Sequence, residues 1–141
     1  MDKTIKAVAG LFGAIAGYLW GPLNGILLAL ITMMCLDYIS GVIVGAAQHQ
    51  LNSHTSFVGL CKKALILIIV AVANIIDSQV FGGNTTVVRS ATCCLFIANE
   101  GMSILENAGE LGIPIPKKLR NVLEQLHKKD EEEPDNGKED L

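Results

Sequence analysis

Hydrophobic residues fall in four long blocks along the chain, separated by short breaks of glycine, proline or polar side chains. The first block, residues 5–20, carries one charge, Lys6. At about 1.5 Å per residue it only approaches the roughly 30 Å of a hydrocarbon core, so it predicts a short span or a helix lying along the interface. Residues 23–47 predict the clearest membrane span: Asp37 is their sole formal charge, and Pro22 is placed for a first helical turn. Residues 48–56 lack apolar periodicity and read as a loop in which His49, Ser53 and His54 are solvated. Lys62 and Lys63 then precede an apolar run that predicts a third span over residues 64–81, ending near Gly82 and Gly83.

The fourth block, residues 87–108, is interrupted by Arg89, Thr92, Asn99, Glu100, Ser103, Glu106 and Asn107. At about 100° per residue these side chains fall within roughly a third of the helix circumference, which leaves Val88, Ala91, Leu95, Ala98, Met102 and Leu105 opposite them. One face is polar and the other suits lipid. After a break, Pro116 opens a short amphipathic helix within residues 109–129, striped by Leu119, Val122, Leu123 and Leu126 and flanked by Lys117, Lys118, Arg120, Lys128 and Lys129. Residues 130–141 are acidic, almost without apolar side chains, and predict a disordered tail. The pattern as a whole predicts an all-α integral membrane protein with four transmembrane helices, alternatively three, plus the short C-terminal amphipathic helix.

Composition agrees. Half of the residues are hydrophobic and only 18% are charged, and a mean hydropathy of +0.43 is more apolar than a water-exposed surface tolerates. The formal net charge of -3 hides an asymmetry. Seven acidic residues and one lysine lie from Asp130 onward, so the preceding body carries ten basic against seven acidic groups. Basic residues near membrane ends stay on the cytoplasmic side. Lys62 and Lys63 mark one such connection, and Lys117, Lys118 and Arg120 mark another at the membrane surface. The turns around residues 20–23 and 82–86 hold no lysine or arginine and belong outside. Both termini are then cytoplasmic, in agreement with Lys3 and Lys6. An equally apolar run directly follows the first one, so that first segment is expected to be retained rather than cleaved as a signal peptide.

Ionisable groups at membrane depth are costly, about 2.5–3.5 kcal/mol each on insertion scales. Asp37 and Glu100 therefore should face other helices or water. Asp77 and Arg89 flank the outer turn and are placed to pair or to reach the interface, while Asn74, Asn99, Ser103 and Glu106 offer hydrogen bonds between helices or toward a passage. Gly13, Gly17 and Gly21 repeat every fourth residue, as do Gly41 and Gly45, and such small-residue faces let helices approach closely. The four cysteines have no CxxC spacing and read as small buried hydrophobes. No paired catalytic carboxylates, phosphate-binding glycine loop, metal cluster or nucleophile elbow appears, so neither an enzyme nor a cofactor is expected. A nucleic-acid partner is not expected either.

Several stretches are familiar. Leu36-Asp37-Tyr38-Ile39-Ser40-Gly41, followed by Ser56, Gly59-Leu60 and Lys62-Lys63, resembles the toxin-secretion and phage-lysis holin family of Gram-positive bacteria and their phages. Asn99-Glu100-Gly101-Met102-Ser103-Ile104-Leu105-Glu106-Asn107 and Leu111-Gly112-Ile113-Pro114-Ile115-Pro116-Lys117-Lys118-Leu119 are similar to that family's C-terminal signature. The resemblance runs in order over about residues 23–126. It implies a homo-oligomer in the bacterial cytoplasmic membrane that makes lesions for an exported cell-wall hydrolase or a large toxin, with an antiholin as a further partner. A small ion channel or transporter subunit is the rival, since it too needs polar groups at the midplane.

Overall fold

The computed structural model describes residues 2–131, which form five helices and no strand. Helix α1 spans Lys3–Trp20 and stops at Gly21, whose φ of 72° lies in the left-handed region that glycine adopts without strain. Helix α2, Gly25–Ala47, starts two residues later than expected. Pro22 sits in the preceding turn, and the Asn24 side chain caps the helix by accepting from the Leu27 N–H at 3.1 Å. Helix α3, Ser53–Ile75, begins well before the expected span. The Asn52 side chain accepts from the His54 N–H at 2.9 Å, which turns part of the expected loop into helix and places Lys62 and Lys63 inside α3. A π-helical turn, Ile76–Val80, continues α3. Helix α4 spans Val87–Glu110 and helix α5 spans Lys117–Glu131. Asp130 and Glu131 thus close α5, whereas residues 132–141, most of the expected acidic tail, lie outside the described residues.

α2 and α4 form the most extensive pair; α3 packs on α4 and more lightly on α2, α5 packs on α4, and α1 packs along α3, with Arg89 of α4 reaching its last carbonyl. The apolar core is thin. Leu27, Leu30, Met34, Val70 and Cys93 fill it, with Trp20, Ile66, Leu67 and Phe96 packed against them. Most large apolar side chains point outward instead: on α2 Leu28, Leu36, Ile39 and Ile43 are each about half exposed. A core helix of a soluble protein would hide these, so the outer surface is suited to hydrocarbon rather than water. Among the described residues, α2 and α3 with its π turn, Ser53–Val80, are the two segments long and apolar enough to cross a membrane by length and composition.

Two expectations about the helix surfaces change. Ala98 and Leu105, expected to meet lipid, are buried on the side of α4 where α5 and α2 pack. Cys93 is buried, but Cys35 and Cys61 are exposed; all four thiols are free.

Candidate functional site

The polar residues collect into two clusters, one midway along α2, α3 and α4 and the other, the outer cluster, at the turns after α1 and α3. The first joins α2, α3 and α4. Asp37 lies ten residues before the end of α2 at Ala47, Lys63 ten residues after the start of α3 at Ser53, and Glu100 ten residues before the end of α4 at Glu110. Ten residues rise about 15 Å, so side chains from the parallel α2 and α4 and from the antiparallel α3 arrive at one level. The Lys63 ammonium donates to Asp37 Oδ2 at 2.8 Å and to Glu100 Oε2. One ammonium therefore serves two carboxylates. All three side chains are largely buried, at 14%, 17% and 9% exposure for Lys63, Asp37 and Glu100. Asn107 completes the cluster, its Nδ2 donating to Ser40 Oγ at 2.8 Å and to Asp37 Oδ1 at 3.4 Å.

This triad is the floor of a cavity of about 510 Å³ that opens at the α2–α3 loop end. Val42, Val44 and Leu51 contribute apolar wall, and the polar side chains on it are Asn52, Thr55 and Ser56 from α3 and its cap and Asn99, Ser103 and Asn107 from α4. Lys62 and Glu110 also line it. The expected polar arc of α4 is thereby divided. Arg89 and Glu100 are buried and Asn107 is half-buried, whereas Asn99 and Glu106 are exposed and Thr92 is half-exposed. Thr92, Asn99 and Glu106 recur every seventh residue along one side of α4; the Thr92 hydroxyl donates to the Val88 carbonyl at 2.7 Å, while Asn99, at the cavity edge, and Glu106 form an exposed seam.

The outer cluster fastens α1. The Asn74 side chain donates to the carbonyls of Tyr18 and Leu19 at 3.2 and 3.1 Å, and Trp20 Nε1 donates to the Leu67 carbonyl at 2.8 Å. Arg89 Nη1 donates to the Trp20 carbonyl at 2.6 Å and weakly to that of Pro22 at 3.4 Å. The last carbonyls of α1 have no partner within their helix, and these donors, one of them cationic, satisfy them at the negative end of the helix dipole. Asp77 does not pair with Arg89 through its guanidinium. Its carboxylate accepts the backbone N–H groups of Val88 and Arg89 at 3.2 and 2.8 Å and so caps α4. Both residues are buried, and Arg89 Nε and Nη2 find no hydrogen-bond partner among the described residues.

Of the expected glycine contacts, Gly21 lies inside the outer cluster, where a Cβ would come within 2.7 Å of Asn74 Oδ1 and press on Arg89 Nη1. Gly41 and Gly45 adjoin the Asn107 and Leu51 side chains. Gly13 and Gly17 have nothing within 4 Å and make no close helix contact. The tightest glycine approach between helices is instead at Gly101, where a Cβ would stand 3.0 Å from both terminal carbons of Leu123 on α5 and 3.1 Å from Met33 Cε on α2. Lys117, Lys118 and Arg120 are exposed on the first turn of α5.

The sequence profile of the bacteriophage holin family matches residues 14–128, a stretch that contains both clusters. The chain belongs to the bacteriophage holin family. Among its relatives, a protein named as a probable holin from Bacillus phage phi105 is 35% identical over 106 residues, covering 75% of this chain and 76% of the relative. An uncharacterized 14.9 kDa protein of Clostridium perfringens is 38% identical over 117 residues, 83% of this holin-family chain and 88% of its own length. An uncharacterized protein of Listeria monocytogenes is 40% identical over 112 residues, 79% of each. No solved structure matches.

Proposed function

We propose that this member of the holin family accumulates in a bacterial cytoplasmic membrane, self-associates, and opens holes through which a cell-wall hydrolase, or a large toxin, leaves the cell. In this reading α2, α3 and α4 cross the bilayer, α1 crosses or borders it, and both termini are cytoplasmic. The carrying observation is the exposed seam of Asn99 and Glu106 on α4, beside helices whose outward side chains are otherwise fit for lipid. A protomer with such a seam is not complete in hydrocarbon, because polar groups there need partners. A second copy provides them by exchanging hydrogen bonds across the seam, and water provides them once copies have gathered. The Lys63 triad serves the opposite state. It gives two carboxylates a shared cation within one chain and lets the protomer remain intact before assembly.

The test is inducible expression in a bacterium that also makes a cytoplasmic endolysin, with optical density followed after induction. Abrupt clearing that needs both proteins supports the proposal. Depolarisation without clearing, in the presence of active endolysin, would instead mark a narrow channel.

A further inference from the structure

The position of α5 conflicts with a uniformly lipid-facing exterior. The chain turns at residues 111–116 and runs back along α4, so that Leu123 seats against Gly101 with Met33 beside it. Gly101 is nine residues from the end of α4 at Glu110, and Met33 is fourteen residues from the end of α2 at Ala47. At 1.5 Å per residue these are about 14 and 21 Å, against roughly 15 Å for half a hydrocarbon core. α2 is one of the two apolar candidate spans, and Met33, which meets Gly101 near the middle of that span, marks the depth at which Leu123 is seated. Beyond Leu123, α5 exposes Glu124, Gln125 and Lys128. Charged side chains held there in hydrocarbon would be costly, and they sit at the far tip of the helix, away from the interface that long side chains reach toward. The seat is nonetheless well made. Leu123 is buried, and the missing Gly101 side chain is what admits it.

We infer that the α4 face carrying α5 is the side of the protomer turned toward water in the assembled hole, with docked α5 as its lining. This rests on the holin reading above and assigns one of its surfaces: copies meet through the α4 seam, and α5 covers the neighbouring face and presents Glu124, Gln125 and Lys128 to the lumen. The seat at Gly101 then has a use that a purely lipid-exposed groove lacks, because it holds a charged helix at a depth where only an aqueous passage accommodates it.

A tether tests the assignment. The full-length chain, with Cys35, Cys61, Cys93 and Cys94 replaced by serine, carries Gly101→Cys and Leu123→Cys. It is reconstituted in phosphatidylglycerol and phosphatidylethanolamine vesicles loaded with fluorescent dextran. Oxidation is expected to form the intramolecular disulfide in vesicles that release dextran, and release is expected to continue undiminished with α5 held in its seat. Failure of the bridge to form in releasing vesicles, or loss of release on oxidation with recovery on reduction, overturns the inference. A second variant, Gly101→Leu, fills the seat; it is expected to insert normally and lose dextran release, and unchanged release would also overturn the assignment. The unsubstituted chain separates the two levels. If it releases no dextran, the hole itself is refuted and the lining with it; if it releases dextran while the tether blocks release, only the lining is refuted.

Discussion

Replacing Lys63 with methionine keeps the length and packing of the side chain and removes the ammonium that two carboxylates share. Asp37 and Glu100 then remain beside each other at 17% and 9% exposure with no cation in contact. Breaking a buried ion pair from one side costs about 3–5 kcal/mol. Insertion scales put each uncompensated charge at about 2.5–3.5 kcal/mol, hence about 5–7 kcal/mol for two. The Asn107 amide already donates to Asp37, and the cavity above opens to solvent, so the lower range applies and the loss should be about 3–5 kcal/mol. Unfolding of the detergent-solubilised protein, followed by circular dichroism under increasing denaturing detergent, reads that loss. Lysis timing with a co-expressed endolysin should shift in parallel. The triple variant Lys63→Met, Asp37→Asn, Glu100→Gln removes all three charges together and should recover most of the stability, because no orphaned charge remains. The reasoning is refuted if Lys63→Met unfolds and lyses like the parent, or if the triple variant is no better than the single one.

Asn99→Leu with Glu106→Leu makes the α4 seam apolar; it should leave membrane insertion intact and reduce the cross-linked oligomer, and an unchanged ladder on gels would count against the seam. Gly21→Ala introduces a Cβ against Asn74 and Arg89 at a φ of 72° and should cost about 1–3 kcal/mol, measured by the same denaturing-detergent titration. Asp77→Ala removes the acceptor from two N–H groups of α4 and should cost about 0.5–2 kcal/mol, with amide exchange accelerated at Val88 and Arg89 before the rest of the helix. Trp20→Phe deletes one hydrogen bond to α3, worth about 0.5–1.5 kcal/mol, and should loosen α1 without affecting the buried charges.

Hydropathy made the helices legible to within a few residues at most ends, because an apolar block of sufficient length leaves the backbone few alternatives in lipid. The start of α3 was the exception: it is fixed by the Asn52 cap, a local signal that a hydropathy pattern does not weigh. Asp37 and Glu100 stood out as costly charges, but their counterion did not. Lys63 adjoins Lys62 and resembles a surface marker of orientation. A clue did exist, since Lys63 abuts the apolar run directly and two buried acids required a cation. Asp77 and Arg89 belong to one cluster as their positions implied; they engage different partners because the amides of α4 occupy the carboxylate. Gly101 escaped notice within a polar stretch, for its importance arises from Leu123, a residue far enough away that only the return of α5 brings the two together.

The attachment of α1 has a consequence for how this sequence tolerates change. That helix buries none of its own residues, ignores α2 despite the short turn between them, and is pinned through the carbonyls of Tyr18, Leu19 and Trp20. Backbone oxygens are common to every amino acid, so apart from Trp20, whose indole donates to the Leu67 carbonyl, the fastening makes little demand on the side chains of α1. Upstream of Gly17 the chain answers to the surrounding solvent and not to a fitted neighbour, which leaves that stretch open to wide substitution while Asn74 and Arg89, the residues that grip it, are not.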